Sequence, residues 1–262
     1  MNSGFYAATT GLIAKMQALD VAANNLANSG ATGFKAQREF YSAMQAQLAT
    51  GAPGATATLA GGAPHHSVVS NAINHAVNNF VVLGGSTTDF SSGSLAHTGS
   101  DTDIAINGPG FIAVSTPSGT AYTRNGSLSL GPNGELLSAG GGAVLGKNGP
   151  IQVPPGQMSI GSDGSITVNG TAVDQIQIVE FDKSTPPVAL GGSLFAAAPG
   201  ATATVATNST VQQGFLEESN MNVVNGSVGL IELQRGAEML QKALAMFNTD
   251  FNKTAIDQVA KS

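Results

Sequence analysis

The chain has 262 residues, enough for one or two domains with a real core, and only 10% of them are charged, against roughly 25% in an ordinary globular protein. A net charge of −6 with no lysine and arginine cluster excludes the electrostatic footprint of a nucleic-acid binder, and the absence of cysteine excludes disulfides, thiolate nucleophiles and cysteine-ligated zinc. No apolar run reaches the ~18 residues that a membrane-spanning helix needs, so direct membrane insertion is not expected.

The first predicted element is a helix from about Ser3 to Asn28, stopped by Ser29-Gly30, with Gly33 as a second breaker. Apolar positions at alternating spacings of three and four, Phe5, Leu12, Met16, Leu19 and Leu26 together with Thr9 and Ala23, draw a stripe along one face. Lys15, Gln17, Asp20, Asn24 and Asn25 interrupt the segment, so it does not read as a secretory signal. From Phe34 to Leu48 the sequence turns aromatic and mixed, and from Thr50 to Pro64 it becomes a Gly/Ala/Pro/Thr arm.

Between Ile104 and Phe181 short β runs alternate with turn signals such as Asn107-Gly108-Pro109-Gly110, Asn125-Gly126, Asn148-Gly149 and Asn169-Gly170. Gln175-Ile176-Gln177-Ile178 alternates as a half-buried strand should. Weakly patterned sequence follows from Pro186 to Thr210, and a last helix begins between Ser219 and Asn225. Its stripe is Leu230, Leu233, Ala237, Leu240, Leu244, Phe247 and Phe251.

A wet stripe on a helix ~38 Å long needs a cover, and the matching stripes at the two ends point to each other, to neighbouring subunits, or to both. The expected fold is therefore mixed α and β: paired N- and C-terminal helices forming a coiled-coil-like layer, with an inserted all-β domain of antiparallel hairpins. The divisions are residues 1–30 for the first helix, 31–70 for a connecting arm, 71–210 for the β-rich domain, and 211–262 for the return segment and last helix. The low charge leaves a surface poorly defended against self-association.

Catalytic chemistry finds little support. Asp101, Asp103, Asp163, Asp174, Glu217 and Glu218 sit in turn sequence or beside a helix start, where acids have structural uses. His65-His66 lacks a third ligand at a helical or finger spacing, and no phosphate-binding glycine loop or hydrolase signature occurs. No enzyme activity, cofactor, metal or small-molecule substrate is expected. A secreted β-rich adhesin or carbohydrate-binding module with a helical stalk is the alternative. The absence of Trp and the presence of only three Tyr leave few aromatic platforms for it.

Four blocks carry a resemblance. Ala22-Ala-Asn24-Asn25-Leu26-Ala27-Asn28 followed by Thr32-Gly33-Phe34-Lys35 resembles the N-terminal signature of flagellar basal-body rod and hook proteins. Asp103 to Phe111, Tyr122-Thr-Arg-Asn-Gly126 leading to Gly134-Glu-Leu136, and Gln213 to Val223, with Glu217, Ser219 and Asn220, then Gln234-Arg235, agree in order. Ala31 departs from the usual pattern, which has Thr three residues after the final Asn. The resemblance implies an inner layer of paired terminal helices, a short connecting domain and an outward β domain. It also implies a torque-transmitting rod subunit in the periplasm, exported uncleaved through the flagellar type III apparatus. Its partners would be copies of itself and other rod or hook subunits. Length and a single compact β region look like a rod subunit rather than the longer hook protein, and the opening Phe5-Tyr6-Ala7-Ala8 with the ending Phe247-Asn-Thr-Asp-Phe-Asn252 looks more like the proximal-rod than the distal-rod type.

Overall fold

The computed structural model describes residues 2–45 and 79–259. The Thr50–Pro64 arm and His65-His66 lie outside the described residues. The elements in order are helix α1 (Asn2–Ala27), strands β1 (Gln37–Gln45), β2 (Asn79–Thr88), β3 (Leu95–His97), β4 (Ile104–Asn107), β5 (Phe111–Thr116), β6 (Gly119–Thr123), β7 (Leu128–Leu130), β8 (Leu136–Ser138), β9 (Ala143–Gly146) and β10 (Gly149–Pro150). There follow β11 (Met158–Ile160), β12 (Ser165–Val168), β13 (Thr171–Gln175), β14 (Ile178–Glu180), β15 (Val188–Gly191), β16 (Leu194–Ala196), β17 (Thr204–Val205), β18 (Thr210–Gln213), β19 (Phe215–Glu217) and helix α2 (Val223–Val259). Terminal helices around a β insertion are thus the architecture, as the periodicity implied.

The chain forms two compact units. One comprises residues 2–19, 39–45, 79–85 and 232–259 of the described chain, the other residues 20–38 and 86–231. In the first, an alanine methyl at Gly11 would lie 3.6 Å from Leu240 Cδ1, and one at Gly236 would lie 3.6 Å from Lys15 Cε. Rising numbers on α1 meet falling numbers on α2, so the helices run antiparallel there. Ala14, Ala18 and Ala237 are buried, and by spacing Gly11, Ala14 and Ala18 share one side of α1.

The second unit holds the β region. Its main sheet runs in the order β15-β16-β6-β5-β9-β8-β7, with β14 beside β5 and β17 outside β14. The meander β11-β12-β13 forms a second sheet. The apolar core includes Ile104, Ile112, Val114, Leu136, Val144, Ile151 and Ile166, all at most 1% exposed. A smaller aromatic cluster sets Phe90, Phe111, Phe181 and Phe195 edge to face. Ile176 and Ile178 are buried while Gln177 is exposed, which is the alternation the sequence displays. The Asn169-Gly170 turn joins β12 to β13 with φ of 50° and 79°, the conformation for which this pair of residues is suited.

Of the pairings between strands that are not consecutive, two join the segments farthest apart in sequence. β4 pairs with β18 rather than with β5 across the Asn107–Gly110 turn, and β3 pairs with β19. The β strands therefore continue to Glu217, past the 71–210 span expected for the β-rich region. The last helix begins at Val223, where Asn222 Oδ1 accepts the Asn225 amide as its cap.

Candidate functional site

Within the second unit, three segments far apart in sequence converge on one carboxylate. Gly33 to Lys35 lie between α1 and β1, Arg124 directly follows β6, and Glu217 ends β19. The Gly33 amide donates to the Glu217 carbonyl at 2.7 Å and the Asn220 amide to the Phe34 carbonyl, so residues 33–35 run beside residues 217–220. Lys35 Nζ lies 2.7 Å from Glu217 Oε1, and Arg124 Nη1 lies 3.2 Å from Glu217 Oε2. Side-chain exposure is 0% for Lys35 and Glu217 and 1% for Arg124, so all three charges are removed from water.

Further donors and acceptors surround the triad. Glu217 Oε1 accepts the Gly93 amide, and Lys35 Nζ donates to the Ser91 carbonyl at 2.8 Å. Arg124 donates to the carbonyls of Ile106 and Gly108, and its guanidinium lies 5.2 Å from the centre of the Phe111 ring. Its Nε is buried without a hydrogen-bond partner among the described residues. Burial pulls the Lys35 ammonium and the Arg124 guanidinium below their ordinary pKa values, and Glu217 opposes the fall in each case. One carboxylate thus serves two cations, and loss of that carboxylate would strand both.

Two asparagines complete the junction. Asn25 Nδ2 donates to the Gln37 carbonyl at 2.7 Å and its Oδ1 accepts the Gln37 amide at 2.9 Å, reproducing the two-way exchange of an antiparallel strand pair. Asn220 Oδ1 accepts the Ala36 amide, while its Nδ2 donates to the carbonyls of Asp89 and Ser91. Beside them Asp89 accepts the Ser91 amide and pairs with Arg38, an arrangement that holds the Asp89 carboxyl below its usual pKa.

Of the motif residues named from sequence, Asn25, Gly33, Lys35, Glu217 and Asn220 meet at this junction. Leu26, Asn28 and Phe34 are half-buried, Asn24 and Ala27 exposed. The Asn28 side chain donates to the Asn24 carbonyl, and buried Ser219 accepts the Met221 amide. Gln234 and Arg235 stand exposed on α2 in the other unit. Arg124 was absent from the expected set, although it lies within a recognised block. Nothing local to it in sequence indicates burial beside an acid 93 residues on.

The candidate acids do not converge on a cleft. Asp163 accepts the amide and hydroxyl of Ser165 in a turn, Asp174 accepts from Asn148, and Glu218 accepts from Ser94.

The stripe residues divide. Leu12, Leu19, Leu26, Leu230, Leu233, Leu240 and Leu244 are half-buried, whereas Phe5, Met16 and Phe247 remain 40%, 53% and 49% exposed. The Phe251 side chain lies outside the described residues. Ile13, Met239 and Met246 are exposed apolar residues that the stripe did not include.

Comparison with known proteins matches both the helical end and the β region. The sequence profile of the flagella basal body rod protein matches residues 5–35, and that of the flagellar hook protein FlgE/F/G D1 domain matches residues 105–168. The flagellar basal-body rod protein FlgF of Caulobacter vibrioides is 30% identical over 265 residues, spanning 100% of this chain and 99% of its own. FlgG of Buchnera aphidicola subsp. Schizaphis graminum is 30% identical over 90% of this chain and 92% of its own length. FlgF of Mesorhizobium japonicum is 33% identical over 91% and 90%.

Proposed function

Because the chain belongs to the flagellar basal-body rod and hook protein family, we propose that it polymerises through its terminal helices into the rod and passes torque from motor to hook. In this reading the α1 and α2 stretches form an inner helical layer, residues 31–70 connect, and the β region lies outside. The partners are further copies and other rod or hook subunits. The chain reaches the periplasmic rod uncleaved, through the flagellar type III export apparatus.

The observation that carries the reading is the division of apolar residues in the helical unit. Contact between α1 and α2 falls at Gly11, Leu240, Lys15 and Gly236, while Phe5, Met16 and Phe247 keep much of their surface in water. Full burial of such a side chain is worth roughly 1.5–3 kcal/mol, so each half-exposed one retains about 1 kcal/mol to gain from a neighbour. Repeated heterologous contacts whose rotation does not close generate a filament rather than a ring.

The test is Met16→Asp and Phe247→Asp. Both positions are exposed, so the isolated chain should keep its stability within about 0.5 kcal/mol. Incorporation into purified basal bodies and swimming should be lost, because a neighbour would have to bury an unpaired carboxylate. Normal incorporation of both variants would overturn the assignment of this surface to assembly.

A further inference from the structure

The groups that close the β region come late in the chain. Glu217, the carboxylate of the triad, follows Lys35 by 182 residues and Arg124 by 93. Residues 104–106 of β4 are at most 2% exposed, yet the ladder partner of β4 is β18, and that of β3 is β19. Asn220 then ties down Ala36, Asp89 and Ser91. Segments around residues 35, 90, 96, 105 and 124 therefore all find partners between residues 210 and 220.

We infer that residues 210–220 act as a closing strap: the β region of a chain emerging N-terminus first stays open until this segment appears, and the Lys35–Glu217–Arg124 triad locks it. Without the strap, closure would bury two cations with no carboxylate, the arrangement that costs most in a protein interior. It would also bury the β4 backbone with its ladder groups unpaired. The strands of the main sheet and of the β11-β12-β13 meander all precede residue 206 and can pair earlier, so what waits for the strap is the seating of β3, β4 and residues 33–36. The strap follows the other strands of the β region, and among the described residues after it stand α2 and its cap, so closure waits for the strands before it. The strap thereby regulates the exported state in the reading above, since a chain that closes late remains open for transport. Its test concerns folding alone and leaves the assembly claim to the Met16 and Phe247 variants.

Full-length chain is refolded from urea, and amide protection is followed by pulsed hydrogen exchange with mass spectrometry. Peptides covering β3, β4 and β18–β19 should gain protection in one common phase. Glu217→Gln should slow that phase about tenfold or more, because both cations lose their charge partner. A triple variant, Lys35→Met with Arg124→Met and Glu217→Met, has no buried charge to satisfy and should refold near the original rate. Protection of β3 and β4 before β18–β19 in the unaltered chain would overturn the inference, as would an unslowed Glu217→Gln. If Glu217→Gln does not fold, the triple variant decides: its folding supports a charge lock, and its failure refutes one.

Discussion

Replacing Gly33 with alanine should destabilise the β unit by about 2–5 kcal/mol, well beyond the cost of an ordinary surface substitution. Gly33 has φ of +65°, a left-handed conformation that costs an L-residue about 1–2 kcal/mol. The new methyl would also meet Asn125 N at 2.4 Å, Arg124 C at 2.5 Å and Arg124 O at 2.7 Å. These are backbone atoms of the segment that delivers the Arg124 guanidinium, so no side chain can rotate out of the way. Overpacking of this kind adds about 1–3 kcal/mol. Any retreat of residue 33 also lengthens its 2.7 Å bond to the Glu217 carbonyl and displaces Lys35 two residues on. Gly141→Ala separates the two contributions, since φ is +77° there but nothing lies within 4 Å of the added methyl. Gly30→Ala, open and without positive φ, should be nearly neutral. Urea unfolding of the three variants, with the slope checked for constancy, measures the differences. If Gly33→Ala loses no more stability than Gly141→Ala, the claimed close approach at the junction is wrong.

Asp89→Asn should lower stability at neutral pH by no more than about 1 kcal/mol, because its partner Arg38 is 75% exposed and well screened. The Ser91 amide bond, followed by the Ser91 hydroxyl and Arg38, lowers the folded pKa of Asp89 below 3.8. Its contribution is therefore present above 3.8 and disappears as pH falls through the lowered value, so the urea midpoints of the two proteins should converge in acid; a gap unchanged at low pH would count against it. Gly11→Ala should stabilise the helical unit by up to about 1 kcal/mol, since Gly11 is interior to α1 and its methyl would make an ordinary 3.6 Å contact with Leu240. Thermal unfolding followed by far-ultraviolet circular dichroism checks this, and a lowered midpoint would mean that the helices need the glycine.

The parts of this fold written in local chemistry were legible. Both helices, the end of the first near Ala27 and turns such as Asn169-Gly170 follow from spacing and glycine placement, whereas the start of the last helix at Val223 was bracketed only between Ser219 and Asn225. The pairing of β4 with β18 was not, because two short apolar strands separated by the Asn107–Gly110 turn look like a hairpin whichever partner each finally takes. The triad was half legible. Lys35 and Glu217 stood within recognised blocks, but a buried lysine, arginine and glutamate look like any surface charges until the chain brings them together across 182 and 93 residues. On α1 the periodicity selected the large apolar residues and passed over Gly11, Ala14 and Ala18. Small side chains give a weak hydrophobic signal and yet permit the closest helix approach.

The two sides of α1 differ in what the chain buries. At about 100° per residue, Met16 lies about 160° around α1 from both Ala14 and Ala18, and Phe5 lies within about 20° of Met16. The buried alanines and the exposed large residues therefore occupy nearly opposite sides of the same helix. If the large stripe were the seam between α1 and α2, Met16 would be buried in the isolated chain and Ala18 would face water; the observed exposures are 53% and 0%. The folded chain buries the small residues and leaves Met16 and Phe5 exposed, the surface that the proposed function assigns to neighbouring subunits. This is why a charge at Met16 should spare the folded chain and prevent its incorporation, whereas bulk at Ala18 should disturb the chain before any neighbour is met.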